Sequence, residues 1–102
     1  MTKLGGNYHQ KKHDIVDTVM KLFLQHGNGL DLQIKINFLN INFSLINSYD
    51  GKCHARKDFY IDLQSGDIDT CKRIAAGQMQ GALKHCGIEF ESFDAWDRSI
   101  KL

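Results

Sequence analysis

"LDLQIKINFLNINFSL", Leu30 to Leu45, is the stretch whose reading decides the fold. Leu30, Leu32, Ile34, Ile36 and Phe38 alternate with Asp31, Gln33, Lys35 and Asn37. An alternation of period two marks a strand with one buried face. At Leu39 the phase slips, and Ile41, Phe43 and Leu45 carry the apolar face from there. A slip of one residue means a bulge or a turn. Leu39-Asn40 lacks the glycine that two-residue hairpin turns favour. The expectation is therefore one long, bent strand with a bulge near Leu39, and two separate strands are the alternative.

Downstream, "SYDGK" centres an Asp-Gly turn, which predicts a hairpin. Ala55, Lys57, Phe59, Ile61 and Leu63 take one face of the following strand, with Lys57 alone breaking the apolar side. His54, Arg56, Asp58, Tyr60 and Asp62 take the other. "QSGD" turns the chain into a helix capped by Asp67, with Asp69 in its first turn, where negative charge is favoured. Ile68, Cys71, Ile74, Ala75, Met79, Ala82, Leu83 and Cys86 form its apolar stripe, and Gly87 ends it. "IEFESF" reads as a short strand with Ile88 and Phe90 inward. Residues 94–102 read as a polar tail.

Upstream, residues 1–6 read as a loose end containing Gly5 and Gly6. A helix is expected to start at Asn7, with Gln10 completing a capping-box pattern. Ile15, Val16, Val19, Met20 and Phe23 recur at helical spacing, with Lys11, Lys12, Asp14, Asp17 and Lys21 on the other side. Gly27 is placed to terminate this helix. The whole chain, 1–102, reads as a single α+β domain. It has a small antiparallel sheet of two to four strands, with two helices on one face, in the order α-β-β-α-β.

Composition narrows the function classes. The 102 residues are 42% hydrophobic and 25% charged, which is ordinary for a globular domain. No apolar run is long enough to span a membrane, and the first residues lack a secretory pattern. The three cysteines cannot form a complete set of internal disulfides, so the expectation is a cytoplasmic protein with free thiols. Net charge is +1, which argues against a surface dominated by phosphate contacts. The charge is segregated: residues 1–57 carry eight Lys/Arg against four Asp, and residues 58–102 carry five against eight acids. A dipolar chain of this kind orients a partner or a second copy of itself.

Four residues carry a metal question. The strand from Cys53 to Leu63 and the helix from Ile68 to Cys86 are each about 30 Å long, joined by a short loop. The helix end should therefore return to the strand start and bring Cys53 and His54 near His85 and Cys86. Two thiols and two imidazoles are a set that zinc accepts. However, adjacent residues on a strand point to opposite faces, so all four cannot converge without distortion. These four are weak candidates, and no cofactor is expected. His9 and His13, with Asp17 continuing their i, i+4 ladder, read as a solvated helix face. Cys71 reads as an inert core residue.

The second helix carries a further signal. Gly77 and Gly81 each cost roughly 1 kcal/mol relative to alanine inside a helix, which suggests a packing reason. With Lys72, Arg73, Ala76, Gln80 and Lys84 they form a stripe that is small in the middle and basic at both ends.

If residues 30–47 form two strands, the element order resembles that of a double-stranded-RNA-binding domain. That resemblance would imply an RNA partner and a basic, glycine-rich entry to the last helix. Here the entry is "QSGDIDT", which is acidic, and the chain is not assigned to that family. Lys11, Lys12, Lys52, Arg56, Lys57, Lys72 and Arg73 are the cations available for phosphate, and Tyr60 is placed to stack on a base.

No nucleophile-elbow, P-loop, Rossmann or HExxH pattern is present. The expectation is a small non-enzymatic interaction protein that binds, and inhibits or modulates, a larger protein. In size and lack of motifs it is similar to inhibitors and adaptors such as phage-encoded anti-CRISPR proteins. The expected binding residues are His54, Arg56, Asp58 and Tyr60 on the sheet and Lys72, Arg73, Gly77, Gln80, Gly81 and Lys84 on the second helix. A homodimer is expected. A nucleic-acid-binding module and a small zinc-stabilised domain are the alternatives.

Overall fold

The computed structural model describes residues 2–88, with side chains from Tyr8 onward. Two helices flank three strands: α1 (Thr2–His26), β1 (Asp31–Ile36), β2 (Asn40–Tyr49), β3 (Lys52–Asp62) and α2 (Ile68–His85). The sheet is antiparallel in the order β1-β2-β3. The α+β class with both helices on one side of a small antiparallel sheet matches the sequence. The order does not: the described elements run α-β-β-β-α, and the strand expected at 88–93 lies outside the described residues apart from Ile88.

The correction falls on Leu30–Leu45. The chain turns back at Phe38-Leu39 instead of bulging. Asn37 donates its backbone N–H to Asn40 O at 2.8 Å, and its side-chain Nδ2 donates to Asn40 Oδ1 at 2.7 Å. Asn42 Nδ2 adds a third bond to the same oxygen at 3.2 Å. The two asparagines bracket the turn and hold it by side-chain pairing. Neither loop residue has positive φ, so no glycine was needed. The bulge lies elsewhere: Asn47 pairs with Ala55 and Ser48 with Cys53, which leaves His54 as the extra residue on β3. The Asp-Gly turn forms as read, with φ of 56° at Asp50 and 73° at Gly51. Both central residues of a type I′ turn require that sign.

The core lies between the sheet and the helices. Across the strands the inward rows are Ile34–Phe43–Phe59 and Ile36–Ile41–Ile61, and the Phe43 and Phe59 rings stack at 5.0 Å. Met79, Ala75, Ala82, Leu83 and Cys71 of α2 and its C-cap Cys86 cover this face, as do Ile15, Val19 and Leu22 of α1.

The α1 helix departs from expectation in two ways. It begins at Thr2, so Asn7 lies inside it and residues 2–6 are helical. Extending an existing helix fixes one residue per hydrogen bond, a far smaller cost than nucleation. Gln10 therefore makes no capping box and donates to Asp14 at 2.9 Å. The buried stripe is also rotated, running through Ile15, Thr18, Val19 and Leu22. Lys11 lies on that side, and its Nζ donates to Leu63 O and Gly66 O at 2.7 and 2.6 Å. Gly27 does end α1. Its reason is space, since a Cβ there would come within 2.8 Å of Phe23 O.

α2 matches its expected caps. Asp67 accepts from Thr70 N at 2.8 Å, and Gly87 takes φ 100°. Ile74, expected in the apolar stripe, points outward.

Candidate binding face

Both helices cover the same side of the sheet, so among the described residues the other side is open. Register defines its rows: Asp31–Ile46–Arg56, Gln33–Ser44–Asp58 and Lys35–Asn42–Tyr60. Period-two alternation puts these residues, polar apart from Ile46 and Tyr60, on one face, which makes this face the part of the site most directly readable from sequence. Tyr60 is 61% exposed. Beside it, Arg56 Nε donates to Asp58 Oδ1 at 3.0 Å, and Arg56 Nη2 reaches Ser44 Oγ at 3.5 Å. The Ser44 hydroxyl, followed by the Arg56 guanidinium, holds the Asp58 carboxyl below its ordinary value. Asp58 thus stays ionised and holds Arg56 through a charged hydrogen bond.

His54 departs from this array because the bulge displaces it. Its ring stacks on Tyr49 at 3.6 Å, and Nε2 approaches Tyr49 O at 3.3 Å. The stacked pair sits at the end of the β2–β3 hairpin. Tyr49 itself is exposed and was missed by the sequence reading, although its place next to the Asp-Gly turn was a usable signal.

The α2 stripe divides between two environments. Arg73, Gly81 and Lys84 are exposed and Gly77 is half-buried, but Ala76 and Gln80 are buried. Lys72 shares a cleft with Tyr8, Lys11 and Asp14 of α1, and Ala76 and Gln80 continue that flank at i+4 spacing. A Cβ added at Gly77 or Gly81 would meet nothing within 4 Å. No packing within the described residues explains these two glycines, and both border open space.

The two Cys/His pairs are brought only partly together. The Cys86 thiol is buried and 3.6 Å from Leu45 O. Burial, and secondarily the charge of Cys53, push its pKa up. Cys53 is exposed, and its Sγ faces Ala55 O at 3.6 Å. With His54 stacked on Tyr49, the donors do not converge. Among the described residues no group of three or more His, Cys, Asp or Glu is placed to hold a metal ion. His9, His13 and Asp17 line a groove with Val16, Met20 and Ile36, and Asp17 pairs with Lys21 at 3.2 Å. Cys71 is buried, as expected. No described helix is long and apolar enough to cross a membrane.

The described element order, α-β-β-β-α, is the one that resembles a double-stranded-RNA-binding domain. The cations do not follow it. Lys11 is spent on two internal carbonyls, Arg56 is paired with Asp58, and Lys12 lies 5.7 Å from the Phe38 ring. The entry to α2 presents Asp67, kept ionised chiefly by the Thr70 backbone N–H, and Asp69. No family model, no curated protein and no solved structure matches this chain.

Proposed function

We propose that this chain is a small protein-binding module that inhibits or modulates a larger protein partner and carries no chemistry of its own. The carrying observation is the sheet face left uncovered by the described residues, where Tyr60 stands 61% exposed beside a pre-set Arg56–Asp58 pair. Tyrosine and arginine are the side chains enriched at protein interfaces. Strands hold them in a fixed array, so little ordering cost remains on binding. Gly77 and Gly81 supply a second surface that another backbone can approach.

The test is affinity capture from the source cell, read by mass spectrometry, with wild type beside Tyr60→Ala and Arg56→Ala. The reading expects one protein to be enriched by wild type and lost with both variants. Capture that both variants retain would remove the sheet face from the interface.

Element order favours a second reading, a nucleic-acid-binding module. It expects binding that falls steeply with salt. The charge placement opposes it, and failure to bind duplex RNA or DNA at low salt would end it.

A further inference from the structure

β1 is an edge strand that, among the described residues, pairs with β2 alone. Asn37 donates its N–H to Asn40 O, and backbone groups alternate sides along an antiparallel strand. Asp31, Gln33 and Lys35 therefore turn their N–H and C=O toward β2, whereas Leu32, Ile34 and Ile36 turn theirs outward. Leu32 and Ile34 are half-buried and Ile36 is 55% exposed. Ile36 also lines the groove with Val16 and Met20 on the flank of α1. An open, apolar edge of this kind is a template for pairing with another strand.

We propose that β1 is the contact through which a second copy of this chain docks, the two β1 strands pairing antiparallel about a two-fold axis at Gln33. Outward-turned residues must meet outward-turned residues, which limits the register to steps of two. With Gln33 opposite its own mate, Leu32 faces the partner's Ile34 and Asp31 faces the partner's Lys35. Symmetry makes each of these pairs twice. The apolar pairs continue the inner face, and the Asp–Lys pairs lie on the open face. A shift of two residues either way leaves Asp31 opposite Asn37 or Gln33 and leaves both Lys35 side chains without a carboxylate. The strand is thus complementary to itself in one register only. The product is a six-stranded sheet with all helices on one side. The Val16–Met20 flanks approach the joint from either side, and the open faces merge into one platform with Tyr60 toward each end. This pairing stands independently of what the platform binds.

The test uses the full chain. In a non-hydrogen-bonded antiparallel pair the facing Cα atoms lie about 4.5 Å apart, within disulfide range. Gln33→Cys, in a Cys53→Ser background that removes the exposed thiol, should give a covalent dimer under mild oxidation. Asp31→Cys, whose mate is four residues away, should not. By sedimentation, Lys35→Asp should weaken dimerisation roughly tenfold or more, because it sets two like-charge pairs face to face. Asp31→Lys combined with Lys35→Asp should restore it. A wild-type chain that sediments as a monomer at every concentration reached overturns the proposal. So does a dimer indifferent to Lys35→Asp, or a monomer whose edge captures a different protein.

Discussion

Lys11 is the residue whose structural role departs furthest from its appearance in the sequence, and Lys11→Met tests that role. In the fold its Nζ is part-buried and bonds the carbonyls of Leu63 and Gly66. It fastens α1 to the loop between β3 and α2, 52 and 55 residues away in sequence. A hydrogen bond to a charged group contributes about 1.5–3 kcal/mol. Methionine keeps the packing of the stem and removes both bonds, while water reaching the half-open site recovers part of the loss. The expected cost is about 2–4 kcal/mol, a large share of the roughly 5–15 kcal/mol available to a domain of this size. Urea unfolding followed by circular dichroism should show a lower midpoint with an unchanged slope. Thermal unfolding should fall by about 4–8 °C per kcal/mol. Lys12→Met is the control. That ammonium bonds no internal carbonyl among the described contacts and lies 5.7 Å from the ring of the exposed Phe38, and its loss should cost no more than about 1 kcal/mol. If Lys11→Met lies within about 0.5 kcal/mol of wild type, the range of an ordinary surface change, or costs no more than Lys12→Met, the fastening role is wrong. Lys11 would then return to the cations available for phosphate.

The α2 glycines and its N-cap give two further tests. Because a Cβ at Gly77 or Gly81 meets nothing within 4 Å, Gly77→Ala and Gly81→Ala should each stabilise the isolated chain by about 0.5–1 kcal/mol in urea unfolding. If that surface is a close-approach contact, the same variants should lose the captured partner while gaining stability; destabilisation would show that the space is occupied. Asp67 has a folded pKa below 3.8, chiefly from the Thr70 N–H. Its contribution is therefore complete above the unfolded value and is lost as pH falls through the folded one. The stability gap between wild type and Asp67→Ala should be widest near neutrality and should close below pH 3.8. A gap that stays constant or widens in acid would refute the cap's charge dependence.

What was legible in the sequence is what local chemistry determines. Asp67 and Gly87 end α2 where they were read, because a cap is satisfied within one turn of its own residue. Asp50-Gly51 makes its turn for the same reason. The open sheet face was legible because a period of two leaves one choice per residue, and only the bulge at His54 broke it. The turn at Phe38-Leu39 was not legible because it lacks the glycine that marks two-residue hairpin turns. The signal present was an asparagine on each side, with a pairing that exists only once the strands have met. The rotation of α1 had no local signal. Val16 and Met20 are as apolar as Val19 and Leu22, so the helix offers a wide arc, and only the positions of the sheet and α2 decide which part is covered. Lys11 lies at the boundary of that arc and found carbonyls where water was expected.

The α2 stripe failed for a related reason. A helix packed against both a sheet and a second helix is buried over half its circumference, which took Ala76 and Gln80 inward and left Gly77 and Gly81 at the margin. The surface left for a partner on α2 is therefore narrower than the sequence implied. The sheet face and the β1 edge, both set by strand alternation, are the surfaces on which the proposed contacts rest.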